Sequence, residues 1–345
     1  MKLTIYTKFN LIPNNKKIIN SIPIFATPEY ANYLKKTKNS IVIWFNGKND
    51  EGIDYLIPLN LMKKGPFKKG TFLTAVVSLG EIDSLELEKE FLNKAMNYIK
   101  SNRLCHWIQQ SPNSAIFRTY PDDAVYVPFG TYRINLQDNT EEELFQKLYH
   151  KVRQRINKVI REKTVMLKKS EECYDDSIDL IRKTAEAANL ASFTKNKFDL
   201  INNYLKDSFV DYVTYVNNEP QSSILYFYNS YSVYGMFAGS KRRSAQGATE
   251  LLVWEAIKES KKKKIKYFDF VGARIDPDKD SKQYRIQRNK MHMGGELYQG
   301  FMWKLIISKR NYFIYIQYNR LLNKIKGKKF KMDIIEQELN RLKKN

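Results

Sequence analysis

A chain of 345 residues has room for two domains, each with its own core, and 43% hydrophobic residues exclude a disordered polymer. Lysine and arginine total 59 against 37 acids, and the resulting +22 draws nucleic acid, phosphorylated metabolites or acidic lipid without choosing among them. Cys105 and Cys173 stand too far apart for a disulfide framework. His106, His150 and His292 lack zinc-ligand spacing, so no structural metal is expected. No apolar run is long enough to span a bilayer. MKLTIYTKFNLIPNNKK lacks the apolar stretch of a signal peptide, so a cytoplasmic location is expected.

In chain order, PEYANYLKKT (28–37) has helical spacing. IVIWFN (41–46) and IDYLIPLNL (53–61) are strands joined by the turn-rich GKNDEG, and TFLTAVVSL (71–79) is a third. SLELEKEFLNKAMNYIK (84–100) is a helix with Leu87, Phe91, Ala95 and Tyr98 on one stripe, and RLCHWIQQ (103–110) closes the block as a strand.

The second half repeats the plan without repeating the residues. A helical stretch from Ser177 to Leu205 precedes strands VDYVTYV (210–216), SSILYFY (222–228) and YSVYGMFAG (231–239). A helix, ATELLVWEAIKES (248–260), and a strand, IKYFDFVG (265–272), follow. Helix, three antiparallel strands, helix, strand in each half predicts an α+β chain of two units, with mixed, mostly antiparallel sheets flanked by helices. The expected boundaries are 1–138 and 139–303, with a basic helical extension at 304–345.

Between the blocks, KVRQRINKVIREK (151–163) has six basic residues and one acid. Phe145, Leu148, Val152, Ile156, Val159 and Ile160 make one apolar stripe, which leaves Arg153, Arg155 and Lys158 on a basic side. That side is either a phosphate contact at a cleft between the repeats or a solvated face.

VRQRINKVIREKTVMLKK and GATELLVWEAIKESKKKKIKYFDFVGAR followed by YRIQRNKMHMGG resemble the Fem family of peptidoglycan-bridge aminoacyltransferases. Arg153, Ile156 and Lys158 stand at the family's Arg, Ile and Lys, whereas Thr164 replaces its usual glycine. Leu251, Leu252, Trp254, Ile257, Tyr267, Asp269, Phe270, Gly272, Lys290, Gly294 and Gly295 occupy the family's helix, strand-end and glycine-turn places. The likeness is best over 144–300 and only architectural over 1–135. It implies two GNAT-like domains in tandem, and transfer of an aminoacyl group from aminoacyl-tRNA to an amine of a phosphorylated cell-envelope precursor. No other cofactor is implied. Acetyl-CoA is the alternative donor, but KRRSAQGATE (241–250) lacks the spacing of a pyrophosphate loop at a helix N-terminus.

Aminoacyl transfer needs a neutral attacking amine, a stabilised oxyanion and a route for the proton. The resemblance makes Lys290 the candidate for the developing negative charge, against the plain reading of a surface lysine on a turn. Asp269 alternates onto an apolar strand face, and is either an order-giving carboxylate for the following loop or a base. GARIDPDKDSKQYRIQRNK reads as a long polar loop that closes over a ligand, with Arg274, Tyr284 and Arg285 as substrate contacts. Arg242 and Arg243 are candidate phosphate contacts. Asp122 and Asp123 offer a base from the first domain or merely a turn.

From Lys304 onward twelve basic residues face three acids, and NYFIYIQYNRLLNKIKGKKFK joins aromatics to a basic end. The segment either packs back on the first domain or makes a peripheral contact with an anionic membrane. Two rivals to the aminoacyltransferase stand: an acyl-CoA-dependent N-acyltransferase acting on a nucleotide- or lipid-linked sugar, and a non-catalytic basic RNA-binding protein.

Overall fold

The computed structural model describes every residue except 52, 81–83, 111–114, 328–329, 331 and 344–345. Gly52 of the GKNDEG turn and Lys328, Lys329 and Lys331 of the basic end therefore lie outside the described residues. The chain forms two compact units, Met1–Gly130 with Gln299–Asn345, and Thr131–Tyr298.

The first unit begins with β1 (Lys2–Tyr6), one turn of helix α1 (Asn15–Ile18) and α2 (Pro28–Lys38). The Thr27 hydroxyl caps α2 and Pro28 starts it with a preset φ. The antiparallel strands β2 (Ser40–Lys48), β3 (Asp54–Lys64) and β4 (Phe67–Phe72) follow, with the short β5 (Val77–Ser78) beside β3. Helix α3 (Leu85–Ser101), capped by Ser84, packs Phe91, Leu92, Ala95 and Ile99 into one core with Phe45, Tyr55, Ile57 and Phe72. β6 (Trp107–Gln109) joins β4 in parallel, and β7 (Val125–Asn135) runs on into the second unit.

There α4 (Glu141–Lys147) and α5 (His150–Glu162) lead to β8 (Met166–Lys169), α6 (Tyr174–Ala187) and α7 (Lys195–Leu205). β9 (Phe209–Val216), β10 (Glu219–Tyr228) and β11 (Ser232–Ser240) are antiparallel. α8 (Ala248–Lys262) then returns the chain to β12 (Tyr267–Asp269), parallel to β11. β13 (Ala273–Arg274), α9 (Lys282–His292) and β14 (Glu296–Ile306) come next, followed by α10 (Lys309–Ile325) and α11 (Ile334–Leu342).

Helix, three antiparallel strands, helix and parallel strand thus occur in both units, in an α+β fold as the sequence predicts. The sequence reading leaves out β7 and β14, and these two strands change partners. β7 pairs with β12 through Arg133, Ile134 and Asn135, while β14 pairs with β6 through Lys304, Leu305 and Ile306. Each unit's sheet is finished by a strand from the other half of the sequence. For that reason the compact units do not divide at 138/139 and 303/304: Ile134 is buried in the second core, Trp303 and Leu305 in the first.

α4 and α5 are separate helices, because Leu148 leaves helical geometry at ψ 143°. Val152, Ile156 and Val159 are buried against Leu251, Leu252 and Trp254 of α8. Ile160, expected on that stripe, is half exposed, since it lies about 100° further round the helix than Val159.

Candidate active site

In the second unit β11 and β12 run side by side for three residue pairs, ending at Tyr234 and Asp269. β12 then stops while β11 continues to Ser240. A bulge opposite Leu225 and Tyr226 inserts Met236 without a partner on β10, which bends β11 further. The place beyond the carboxyl end of a parallel strand is a usual ligand position in such sheets.

The turn after β12 is built by Asp269. Its carboxylate accepts from the Thr131 hydroxyl at 2.5 Å, from Nε of Arg133 at 2.7 Å and from the backbone N–H of Val271 at 2.7 Å. The last bond closes a local turn over two residues and holds Val271 at φ 51°. A β-branched residue there costs on the order of 1–3 kcal/mol, which the surrounding bonds must offset. Gly272 follows at φ 37°. With the chain so bent, the carbonyls of Val271 and Gly272 both accept from the Lys290 ammonium, the second at 2.8 Å.

Lys290 lies in the last turn of α9. The long loop expected before it is shorter, because residues 282–292 are helical, started by the capping Ser281 hydroxyl. Gly294 at φ 82° ends the helix, and its N–H and that of Gly295 bond back to Met291 and Lys290. A Cβ on Gly295 would stand 2.9 Å from the Lys290 carbonyl and 3.1 Å from Tyr132 Cβ, so only glycine allows this approach. Burial pulls the Lys290 amine down to about 8, opposed by the nearby Asp269 carboxylate. Burial works against the Arg133 charge too, but attraction to Asp269 outweighs it and the guanidinium pKa is raised. Arg133 also lies 4.5 Å from the centre of the Tyr298 ring.

Lys290 and Asp269 are thus brought together, joined through Val271 and Gly272. Asp269 acts here as the order-giving carboxylate, its bonds to Thr131, Arg133 and Val271 made within its own unit. Arg274 on β13 is tied to α9, its carbonyl accepting from the buried Gln287 amide at 3.1 Å. Tyr284 and Arg285 lie in the first half of α9, Tyr284 half-buried and Arg285 exposed.

On the basic helix the three candidate cations have different surroundings. Arg153 donates to the carbonyls of Gln146 and Leu148, both at 2.6 Å, and so braces the end of α4. Arg155 pairs with Glu250 in the first turn of α8 at 2.8 Å. Lys158 is exposed. The ring of Tyr149, at the head of α5, stacks on His292 at 4.2 Å and so touches the end of α9.

Arg242 lines an open groove of about 610 Å³ with Lys183, Lys241 and Lys282, while Arg243 is simply exposed. Gly247, at φ 87°, packs the start of α8 on α5: an added Cβ would meet Val159 Cγ1 at 2.7 Å and the Arg155 carbonyl at 3.2 Å. In the first unit Asp122 and Asp123 are exposed partners of Lys89 and Lys100, at 2.7 and 2.5 Å. Sequence reasoning overlooked Thr131, Arg133 and Tyr298. The alternation in YVPFGTYRIN marks a strand, but nothing local says that its Arg133 meets Asp269.

No protein-family model and no curated protein sequence matches the chain. Among solved structures, FemX matches with a TM-score of 0.67 at 14% identity, over 91% of this chain and 99% of its own. The C-terminal domain of a putative lysylphosphatidylglycerol synthetase from Agrobacterium fabrum matches with a TM-score of 0.53 at 8% identity, over 89% of this chain and 95% of its own. The doubled unit and the match along nearly its whole length give this chain the tandem GNAT fold of FemX.

Proposed function

We propose that this chain is an aminoacyltransferase that moves an aminoacyl group from aminoacyl-tRNA to the amine of a phosphorylated cell-envelope precursor. The observation that carries the reading is the Lys290 amine, half-buried beyond the carboxyl end of β12 and softened to about 8. Two of its donors are engaged by Val271 and Gly272, which fixes its position and leaves a third for a substrate oxygen.

In the reaction the neutral acceptor amine attacks the ester carbonyl, and the carbon–nitrogen bond forms as negative charge builds on oxygen. The carbon–oxygen bond to the ribose then breaks. The Lys290 ammonium stabilises the charge and gives its proton to the departing ribose oxygen, which leaves as a hydroxyl, and the proton lost by the new amide nitrogen restores it. Asp269 and Arg133 are positioning residues that hold the Val271–Gly272 turn. In the groove Lys183 and Lys241 are paired with Asp179 and Glu219, and Arg242 and Lys282 supply the positive charge for a polyanionic donor. The start of α8 favours this donor over acetyl-CoA. Its first turn carries Glu250 bound to Arg155, and packs on α5 through Gly247.

The test is transfer of a labelled amino acid from tRNA to an amine-bearing, nucleotide- or lipid-linked precursor by the whole chain. Lys290→Met is expected to lower kcat about 100- to 1,000-fold with little change in KM. Undiminished kcat in that variant, or transfer from acetyl-CoA alone, overturns the reading.

A further inference from the structure

α10 has two unlike faces. Its inner face is fixed to the first unit: Tyr312 and Tyr315 lie 5.5 and 4.5 Å from the Trp107 ring, and Tyr315 also meets Phe67 at 5.4 Å. On the outer face Ile314, Tyr318, Leu321 and Ile325, at spacings of four, three and four, form one apolar stripe. All four are exposed, Leu321 at 58% and Ile325 at 72%, with Phe313 exposed beside them.

The helix contains no acid. Lys309, Arg310, Arg320 and Lys324 are exposed along it, and Lys326 follows its end. No ion pair among the described residues engages these five. Lys64 adds another cation at the flank, 3.3 Å from the Tyr315 hydroxyl.

We propose that α10 is a membrane-surface helix that lays this stripe into the headgroup region of an anionic bilayer. Apolar side chains gain by leaving water, and a stripe on a helix whose charged residues are all cations matches a plane of lipid phosphates. Two copies of the stripe set face to face would bring their cations together, so self-pairing is disfavoured. No helix of the described residues is long and apolar enough to cross a membrane, so the helix lies on the surface. The inference does not depend on the transfer chemistry.

Co-sedimentation of the whole chain with vesicles tests it. Mixed phosphatidylcholine–phosphatidylglycerol vesicles should retain the protein, less so as salt rises, while pure phosphatidylcholine should hold it weakly. Leu321→Glu with Ile325→Glu, both at outward positions, should weaken binding at least about tenfold with thermal unfolding unchanged. Arg320→Glu with Lys324→Glu should flatten the salt dependence. Absence of binding, or binding unaltered by the Leu321→Glu/Ile325→Glu pair, overturns the proposal. So does a dimer in solution that this pair dissolves, which would make the stripe a self-association face.

Discussion

Arg133 and Asp269 sit opposite each other across β7 and β12, with Nε of the guanidinium 2.7 Å from the carboxylate. The pair joins a strand that begins in one unit to the strand that ends at the candidate site. Asp269 is buried, whereas Arg133 keeps 29% of its side chain exposed. Water therefore screens one partner only partly, and removing it leaves a buried carboxylate short of its cation.

Arg133→Ala is expected to cost about 3 kcal/mol, the lower end for breaking a buried pair, because Thr131 and Val271 still hold Asp269. Urea unfolding of this variant, of Asp269→Asn and of the double variant measures the coupling. Strictly additive losses would show that the two residues act independently.

The rate of transfer should fall as pH rises through about 8, where Lys290 loses the proton it gives to the leaving oxygen. The rising limb at lower pH belongs to the acceptor amine. Lys290→Arg keeps a charge that does not titrate, so the falling limb should vanish even if the rate drops. A falling limb that persists in this variant belongs to another group.

Asp211, on β9, is buried and lies 3.4 Å from the Ser223 hydroxyl, which in turn lies 2.6 Å from that of Ser177. Burial pushes its carboxyl up to about 7, against the hydrogen bonds from Ser177, Ser223 and the Tyr212 backbone. Between about pH 4 and 7 the folded state keeps a proton that the unfolded chain releases. Stability from this group is therefore present below about 4 and lost as pH rises to 7, by at most about 1.4 kcal/mol per pH unit. Asp211→Asn lacks this slope, so the difference between the two proteins' urea midpoints should change steadily with pH across this range. A difference that is flat across this range would assign Asp211 an ordinary pKa.

Gly239 brings β11 against α6: an added Cβ would stand 2.3 Å from the Leu180 carbonyl carbon and 2.4 Å from the Ile181 nitrogen. Both are backbone atoms that cannot turn aside. Gly239→Ala is expected to cost about 3 kcal/mol or more. On the same strand Gly235→Ala meets the Tyr226 ring at 3.4 Å and Ile224 Cγ2 at 3.7 Å, both side-chain atoms at ordinary contact distance, and should cost far less. Equal losses in thermal unfolding would mean that helix and strand separate freely.

Lys304 is buried in β14 and donates to Asp333 and Glu336, both at 2.8 Å, and to the Tyr312 hydroxyl at 3.1 Å. One side chain thus ties both C-terminal helices to the sheet. Lys304→Met should cost about 3 kcal/mol and speed proteolytic removal of α10 and α11 before the rest of the chain unfolds. Simultaneous cleavage throughout would show that the helices are not a separable layer.

Periodicity and the order of elements were legible from the sequence alone. Val152, Ile156 and Val159 announce a buried face at helical spacing, and the repeated order of helix, strands, helix and strand predicts a doubled α+β unit. These signals are local, since each depends on residues within one or two turns of each other. Asp269 and Lys290 were candidates through the resemblance of their segments to a known family. Tertiary structure decided their company. It set β7 beside β12 and β14 beside β6, gave Asp269 an arginine 136 residues away, and turned the Lys290 segment into a helix whose amine faces the Val271–Gly272 carbonyls. It also spent Arg153 on the carbonyls of Gln146 and Leu148. Which strand edge meets which is settled by the burial of whole faces and by hydrogen bonds between distant segments, and no short window of residues carries that choice.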